Sequence, residues 1–137
     1  MNTINVEKPE VCAYTLHANG IHEFVLLLPT PRGVDALVEQ INKVYDATPP
    51  GQLVRELIEF RGGLPPISYA MQRAREQLAR YPKMPNIRAV VMYDSNLFVS
   101  FVMPLANILF SRFNTINVKY LPKTKRDAAI AWLLHDK

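Results

Sequence analysis

Apolar residues recur along this chain with two spacings, every second residue in some stretches and every third or fourth in others, which predicts alternating strands and helices. Two stretches, Val11 to His17 and His22 to Leu28, flank Asn19-Gly20. Asn-Gly is the preferred pair for a two-residue hairpin turn, because both residues tolerate positive φ. The pattern therefore predicts an antiparallel hairpin in which His17 lies directly across from His22.

Helical spacing then alternates with short apolar runs. The predicted helices run from Pro31 to Tyr45, from Pro65 to Tyr81, from about Leu97 to Phe113 and from Asp127 to Leu134, and the intervening strands are Leu53 to Phe60, Ile87 to Tyr93 and Ile116 to Leu121. The order β-β-α-β-α-β-α-β-α predicts an α/β fold: a single domain with a mixed, mostly parallel sheet, begun by the antiparallel hairpin, and helices mainly on one side.

Particular residues support the predicted helix starts. Thr30 is a typical N-cap before Pro31, and Thr124 to Asp127 resembles a capping box that opens the last helix. Asp94 or Ser95 can cap the helix that begins near Leu97. Within that helix two readings stay open, since Phe98 to Val102 would also suit a strand and Pro104 removes one helical hydrogen bond.

Length and composition agree with one domain over residues 1–137, of which 49% are hydrophobic. The lone Cys12 excludes an intramolecular disulfide and a multi-cysteine zinc site. Residues 1–10 are polar, so we expect a flexible N-terminal segment and no signal peptide, with the protein in the cytoplasm. The longest apolar stretch, Leu97 to Phe110, is shorter than a membrane-spanning helix requires.

Basic residues concentrate in the middle of the chain. Between Arg55 and Arg88 there are seven basic and three acidic residues, which accounts for the whole net charge of +4. This excess is too small to indicate nucleic-acid binding. It favours an acidic protein partner, a phosphate or an anionic membrane, and the alternative is an ordinary solvated helix face.

Three stretches resemble the STAS domain, the fold of anti-sigma-factor antagonists and of the cytoplasmic part of sulfate transporters. They are the strand and glycines of Leu57 to Gly63, the strand Arg88 to Asp94, and the ending Asp127 to Leu133 with its Ala-x-x-Trp-Leu pattern. The chain is most similar to the SpoIIAA-like branch, which is also grouped with lipid-binding CRAL-TRIO domains. The resemblance covers about residues 11–135, and its motifs mark a fold and not a catalytic site.

The resemblance implies a non-enzymatic regulatory domain that binds a protein partner. The regulatory serine of the family usually lies in an Asp-Ser-Ser-Gly or Asp-Ser-Thr-Gly motif, which is missing from the equivalent segment, residues 61–68. Ser68 is the nearest hydroxyl apart from Tyr69, and it is the candidate phosphosite. The resemblance therefore carries over the fold and the regulatory role more readily than the phosphoserine switch.

Arg61-Gly62-Gly63, ahead of a helix, is a candidate partner or anion surface together with Arg73 and Arg75. Free N–H groups at a helix start attract phosphate, although Pro65 and Pro66 remove two of these donors. The alternative is a plain glycine turn after a strand.

The predicted helix from Leu97 to Phe113 has little polar face. Its apolar residues Phe98, Phe101, Leu105 and Leu109 could be covered by a second copy of the chain, by a partner, or by an acyl chain in a pocket beneath the helix. The alternative is burial within the monomer. This helix supports the second function that we consider, binding of a lipid or small apolar ligand.

No constellation of residues indicates catalysis, a metal or a cofactor. His17 and His22 lack an evident third metal ligand, and Cys12 has no visible basic partner. Glu56 and Glu59 should face opposite sides of their strand, because an odd spacing reverses the side-chain direction. We therefore expect neither an enzyme nor a metalloprotein, and no cofactor.

Overall fold

In a computed structural model, which describes residues 11–94 and 96–135, the chain is an α/β protein with a five-stranded mixed sheet and four α-helices. The elements are β1 Cys12–Leu16, β2 Ile21–Leu26, α1 Pro31–Asp46, β3 Leu53–Phe60, α2 Ile67–Arg80, β4 Asn86–Tyr93, α3 Met103–Phe110, β5 Ile116–Pro122 and α4 Arg126–Leu134. The predicted order of elements is confirmed. The flexible segment predicted at 1–10 and the candidate cap Ser95 lie outside the described residues.

The five strands lie side by side in sequence order, with β1 antiparallel to β2 and the remaining pairs parallel. Crossovers between parallel strands are right-handed, so three successive steps in one direction place α1, α2 and α3 on the same face of the sheet. Helix α4 follows the last strand and packs on the other face, against β3, β4 and β5. The expectation of helices mainly on one side is therefore correct.

Side chains of the central strands are buried on both faces. On β3, Val54, Glu56 and Ile58 face α1, α2 and α3, whereas Leu57 and Glu59 lie on the α4 face. The expectation that Glu56 and Glu59 point to opposite sides is thus confirmed. The core on the three-helix side includes Phe24, Leu26, Leu37, Ile41, Val44 and Tyr45, and the smaller core under α4 is formed by Ile21, Leu57, Val90, Met92, Ala129 and Leu133.

The predicted hairpin forms, but its turn differs by one residue from the prediction. The His17 N–H donates to the Ile21 carbonyl, and a three-residue loop ends with Gly20 at φ 89°. Such a loop needs only one residue with positive φ, and glycine adopts it without strain. Consequently His22 lies opposite Leu16, and the predicted cross-strand pair of His17 with His22 is wrong.

The segment predicted as a helix from Leu97 to Phe113 is helical, which excludes the strand alternative. It is shorter than predicted, because α3 ends at Phe110, and it begins with a π-helical turn over Phe98–Val102. The Met103 N–H donates to the Phe98 carbonyl five residues earlier, and the next residue, Pro104, has no N–H to offer. No helix among residues 11–94 and 96–135 has the length and apolarity needed to cross a membrane.

The caps predicted at Thr30 and at Thr124 have different outcomes. Thr30 Oγ1 accepts the Gly33 N–H at 3.2 Å, as predicted for α1. The predicted capping box at Thr124 is wrong: a 3-10 turn over Lys123–Lys125 leads into α4, and no side chain caps the start of that helix.

Two arginines of the sheet form hydrogen bonds with the C-terminal end of helix α4. Arg55 Nε donates to the Leu133 carbonyl at 2.7 Å, and Arg88 Nε donates to the Trp132 carbonyl at 2.8 Å. The Arg88 guanidinium also lies 3.8 Å from the centre of the Trp132 ring. The last carbonyls of a helix lack internal partners and carry partial negative charge, so two arginines are suitable donors for them.

Candidate functional site

An apolar cavity of about 170 Å³ lies between the sheet and the three helices on its first face. Each helix supplies part of the wall, with Val38 from α1, Met71 from α2 and Ala106 from α3. Strands β3, β4 and β5 supply the floor, which includes Ile58 and Val91. The cavity therefore lies where the three helices approach one another without filling the space above the sheet.

Phe98 forms the aromatic end of this cavity. Its side chain is buried, and its ring stacks on Tyr93 with centroids 5.6 Å apart and an interplanar angle of 4°. Phe60 and Tyr120 lie against the same ring, at centroid distances of 5.4 and 6.4 Å. The π-helical turn thus brings an aromatic residue into the cavity wall.

Of the described residues that line the cavity, Glu56 is the one that is acidic. The residue is only 2% exposed, and the Tyr45 hydroxyl of α1 donates a hydrogen bond to its carboxylate. The other carboxylate oxygen, Oε2, is buried and has no hydrogen-bond partner within residues 11–94 and 96–135. Burial removes the solvation of the charged form and raises the pKa of Glu56 to about 7.

The other predicted residues of this helical segment fall into two groups. Phe98 lines the cavity and Leu109 is buried beside α2, whereas Phe101 and Leu105 are exposed by 54% and 42%. With Leu97 and Ile108 these two exposed residues form an outer apolar stripe, spaced as neighbours on one helix face. The four residues that were predicted to form one apolar site therefore lie partly inside the protein and partly on its surface.

A groove between α2 and α3 runs beside this stripe. It is lined by Met71, Arg75, Leu78, Ala79, Leu105, Ile108, Leu109, Arg112 and Phe113. Arg75 and Arg112 are exposed, and neither has an ion-pair partner among the described residues. The groove therefore combines an apolar floor with two cationic groups.

The candidate partner or anion surface is spread over several elements. Arg61 is exposed with Nε 2.8 Å from Glu59 Oε2, and Gly62 and Gly63 have φ of 81° and 115°. Arg73 is 3.0 Å from Asp35 Oδ1 and 2.8 Å from Glu76 Oε1.

Two of these arginines therefore already have carboxylate partners, while Arg75 lies in the α2–α3 groove. Ser68 is exposed in the first turn of α2. An anion site at these positions, and a phosphosite at Ser68, stay predictions.

The two hairpin histidines belong to separate clusters. His22 Nδ1 lies 2.8 Å from the Tyr14 hydroxyl on the face that carries α1, and burial lowers the pKa of His22. His17 Nε2 lies 2.7 Å from Glu23, whose carboxylate also accepts two hydrogen bonds from Arg126. The Arg126 hydrogen bonds lower the pKa of Glu23, so this carboxylate is ionised and fully partnered at neutral pH.

Neither an activated cysteine nor a metal site is found in the described part of the chain. Burial raises the pKa of the Cys12 thiol to about 11, so the thiol is protonated at neutral pH. Residues 11–94 and 96–135 contain no cluster of three histidine, cysteine, aspartate or glutamate side chains that could hold a metal ion.

The role of Glu56 and Tyr45 was not predicted from the sequence. Glu56 was expected only as half of a carboxylate pair, and Tyr45 only as one of the apolar positions of α1. The alternation of residues along β3 could have indicated this role, because it places Glu56 on the same face as Val54, Ile58 and Phe60. An acidic residue at a core-facing position of a central strand is rare and indicates a buried polar site.

Comparisons of the chain with models of protein families, with curated proteins and with solved structures found no match.

Proposed function

We propose that the protein is a non-enzymatic binding domain that holds a small apolar ligand in the cavity beneath α1, α2 and α3. The observation that carries this proposal is the cavity itself, about 170 Å³ of space with walls of apolar side chains. Native cores contain few voids larger than a water molecule, so a space of this size needs a reason.

An apolar ligand would stabilise this cavity more than water can. Atoms that line an empty space lose their dispersion contacts on one side, and an apolar cavity of about 150 Å³ stays dry and binds benzene. Most of the wall here consists of aliphatic side chains together with the stacked rings around Phe98. Toluene is therefore a suitable first probe.

Filling the cavity from the protein side should abolish binding. Ala106 of α3 is buried in the wall, so Ala106→Leu would place three additional carbons in the ligand space. We expect toluene to raise the midpoint of thermal unfolding of the wild type and to leave that of Ala106→Leu unchanged. Ala74→Leu on α2 is a second filling variant, in case the first does not fold.

The matched control is Ala128→Leu, an exposed alanine on α4 at the opposite face of the sheet. It should respond to toluene as the wild type does. Titration calorimetry checks the same series directly. Equal binding by the wild type and both filled variants, or no binding by the wild type, would contradict the proposal.

The outer apolar stripe favours a second function, the regulatory protein interaction implied by the STAS resemblance. Leu97, Phe101, Leu105 and Ile108 are exposed by 54%, 54%, 42% and 63%, and Arg75 and Arg112 flank the neighbouring groove. Exposed apolar patches with a polar rim are typical of interaction sites. The charge of the groove favours an acidic partner protein.

Proximity labelling in cells can identify candidate partners, and binding of the purified pair then tests this function. We expect Phe101→Asp to weaken binding at least about tenfold, because it places a charge at the centre of the stripe. Leu16→Asp is the control, since Leu16 is equally exposed, at 57%, but lies on the edge strand β1. A partner that binds both variants equally does not use this surface.

A further inference from the structure

When Glu56 is ionised, the polar end of the cavity carries a charge that its own walls do not balance. Among the lining residues in the described part of the chain, Glu56 is acidic and none is basic. The other polar groups of the lining are Tyr45, Tyr120 and Gln77, and the pKa of both tyrosines is raised, so they are neutral at pH 7.

The nearby basic residues of the sheet are turned away from this carboxylate. Arg55 and Arg88 lie on the α4 face, where they donate to the carbonyls of Leu133 and Trp132. His22 of β2 is the register partner of Glu56 on the same face. Its Nδ1 is engaged by the Tyr14 hydroxyl, and burial lowers its pKa, so His22 is neutral at pH 7.

The free carboxylate oxygen indicates what a ligand must supply. Oε2 of Glu56 can accept a hydrogen bond, and a buried acceptor left without one is costly. A cationic donor would satisfy this oxygen and neutralise the charge at the same time. At pH 8, where Glu56 is mostly ionised, a carboxylate-headed ligand would instead place two negative charges side by side in an apolar site.

We propose that the ligand of this cavity is a small apolar amine, bound as its ammonium form through a hydrogen bond to Oε2 of Glu56, with its hydrocarbon body against the Phe98 end. This inference rests on the proposed function, and it excludes fatty acids as the preferred ligands. The cavity volume of about 170 Å³ suits a body near the size of one benzene ring.

Four probes of one shape test this inference in titration calorimetry: toluene, benzylamine, benzyl alcohol and benzoate. We expect benzylamine to bind the wild type most tightly at pH 8 and benzoate least tightly. In Glu56→Gln, benzylamine should lose at least about tenfold in affinity, as expected for a charge-assisted hydrogen bond, while toluene changes by less than about threefold.

The matched control is Glu59→Gln, which removes a carboxylate from the same strand but on the α4 face, where Glu59 pairs with Arg61. It should leave the order of the four probes unchanged. A second readout is the pH dependence in the wild type. The affinity for benzylamine should fall between pH 8 and pH 6 as Glu56 becomes protonated, whereas the affinity for toluene should not.

The outcomes separate the two proposals. If toluene binds neither the wild type nor Glu56→Gln, the cavity is not a ligand site and the proposed function fails. If toluene binds both proteins but benzylamine is no tighter than toluene, or is unaffected by Glu56→Gln, the cavity binds apolar ligands and the amine inference is wrong. Tightest binding of benzoate would overturn the inference in the same way.

Discussion

Glu56 shows how one residue can carry a large electrostatic cost at the centre of a fold. The residue is 2% exposed, and burial raises its pKa to about 7. The hydrogen bond from Tyr45 lowers the pKa, but by less than burial raises it. Between the unfolded pKa of 4.5 and the folded value, the native state binds more protons than the unfolded state. Stability from this group is therefore fully present below pH 4.5 and is lost as the pH rises through 7.

Replacing this carboxyl group by an amide should remove that loss. The rise in pKa from 4.5 to about 7 corresponds to about 3 kcal/mol as an upper bound. We expect the stability of Glu56→Gln relative to the wild type to increase by up to this amount between pH 4.5 and pH 8. Urea denaturation at a series of pH values measures the difference, in which the titration of other groups such as His22 largely cancels.

Glu59→Gln is again the control, since it breaks an ion pair with Arg61 and does not relieve an unpaired charge. Its stability relative to the wild type should not increase with pH. A pH-independent difference for Glu56→Gln would show that the Glu56 carboxyl group titrates as it does in the unfolded chain.

At the scale of elements, the π-helical turn before α3 decides which residues line the cavity. The extra residue in the turn is accommodated where Pro104 removes an N–H, and the Met103 N–H reaches back to the Phe98 carbonyl. Phe98 consequently points into the aromatic cluster, while Phe101 remains outside. A local irregularity thus separates the internal wall from the outer stripe.

The connection between β2 and α1 depends on the small size of Gly33. A Cβ built at this position would lie 1.9 Å from the Leu28 carbonyl oxygen and 3.0 Å from Leu26 Cδ1. We expect Gly33→Ala to reduce the free energy of unfolding by about 2–3 kcal/mol, because backbone atoms have to move apart. Urea denaturation at neutral pH measures this change.

The neighbouring substitution Arg32→Ala is the control for Gly33. Arg32 is exposed in the same first turn of α1, so its loss should change stability by no more than about 0.5 kcal/mol. Equal, small effects of both substitutions would mean that the loop before α1 relaxes without cost.

At the scale of the whole molecule, the order of strands explains why both cavity and groove lie on one side. Each parallel crossover places its helix on the same face, so α1, α2 and α3 have to share it, and α4 alone covers the other. The three helices meet over the cavity, and α2 and α3 leave the groove between them.

The charge of this groove opposes self-association. A symmetric dimer buries the same surface of both subunits, so it would bring Arg75 and Arg112 of both copies into one interface. We expect the protein to sediment as a monomer at tens of micromolar, at physiological salt, and Phe101→Asp to leave its mass unchanged. A dimer that Phe101→Asp dissociates would instead assign the outer stripe to a second copy, which is the alternative raised by the sequence.

The local pattern of apolar and polar residues is sufficient to predict most of the strands and helices. The bounds of β3, the Thr30 cap of α1 and the opposite directions of Glu56 and Glu59 all follow from spacing between near neighbours. The two wrong predictions, the hairpin turn and the capping box of α4, are also local in origin. At Gly20 and at Thr124 two turn geometries suit the same residues, and contacts with the rest of the fold select between them.

The order of strands and helices, and the face on which each strand residue lies, can be derived from the sequence, because they depend on periods of two and 3.6 residues. Two contacts at the cavity depend instead on how the elements pack: the hydrogen bond of Tyr45 to Glu56, and the packing of Phe98 on Phe60. These contacts join side chains from different elements, and the way that elements approach one another leaves no periodic signal in any one of them. The cavity arises from the way in which the sheet and the helices pack, so no local pattern in the sequence predicts it.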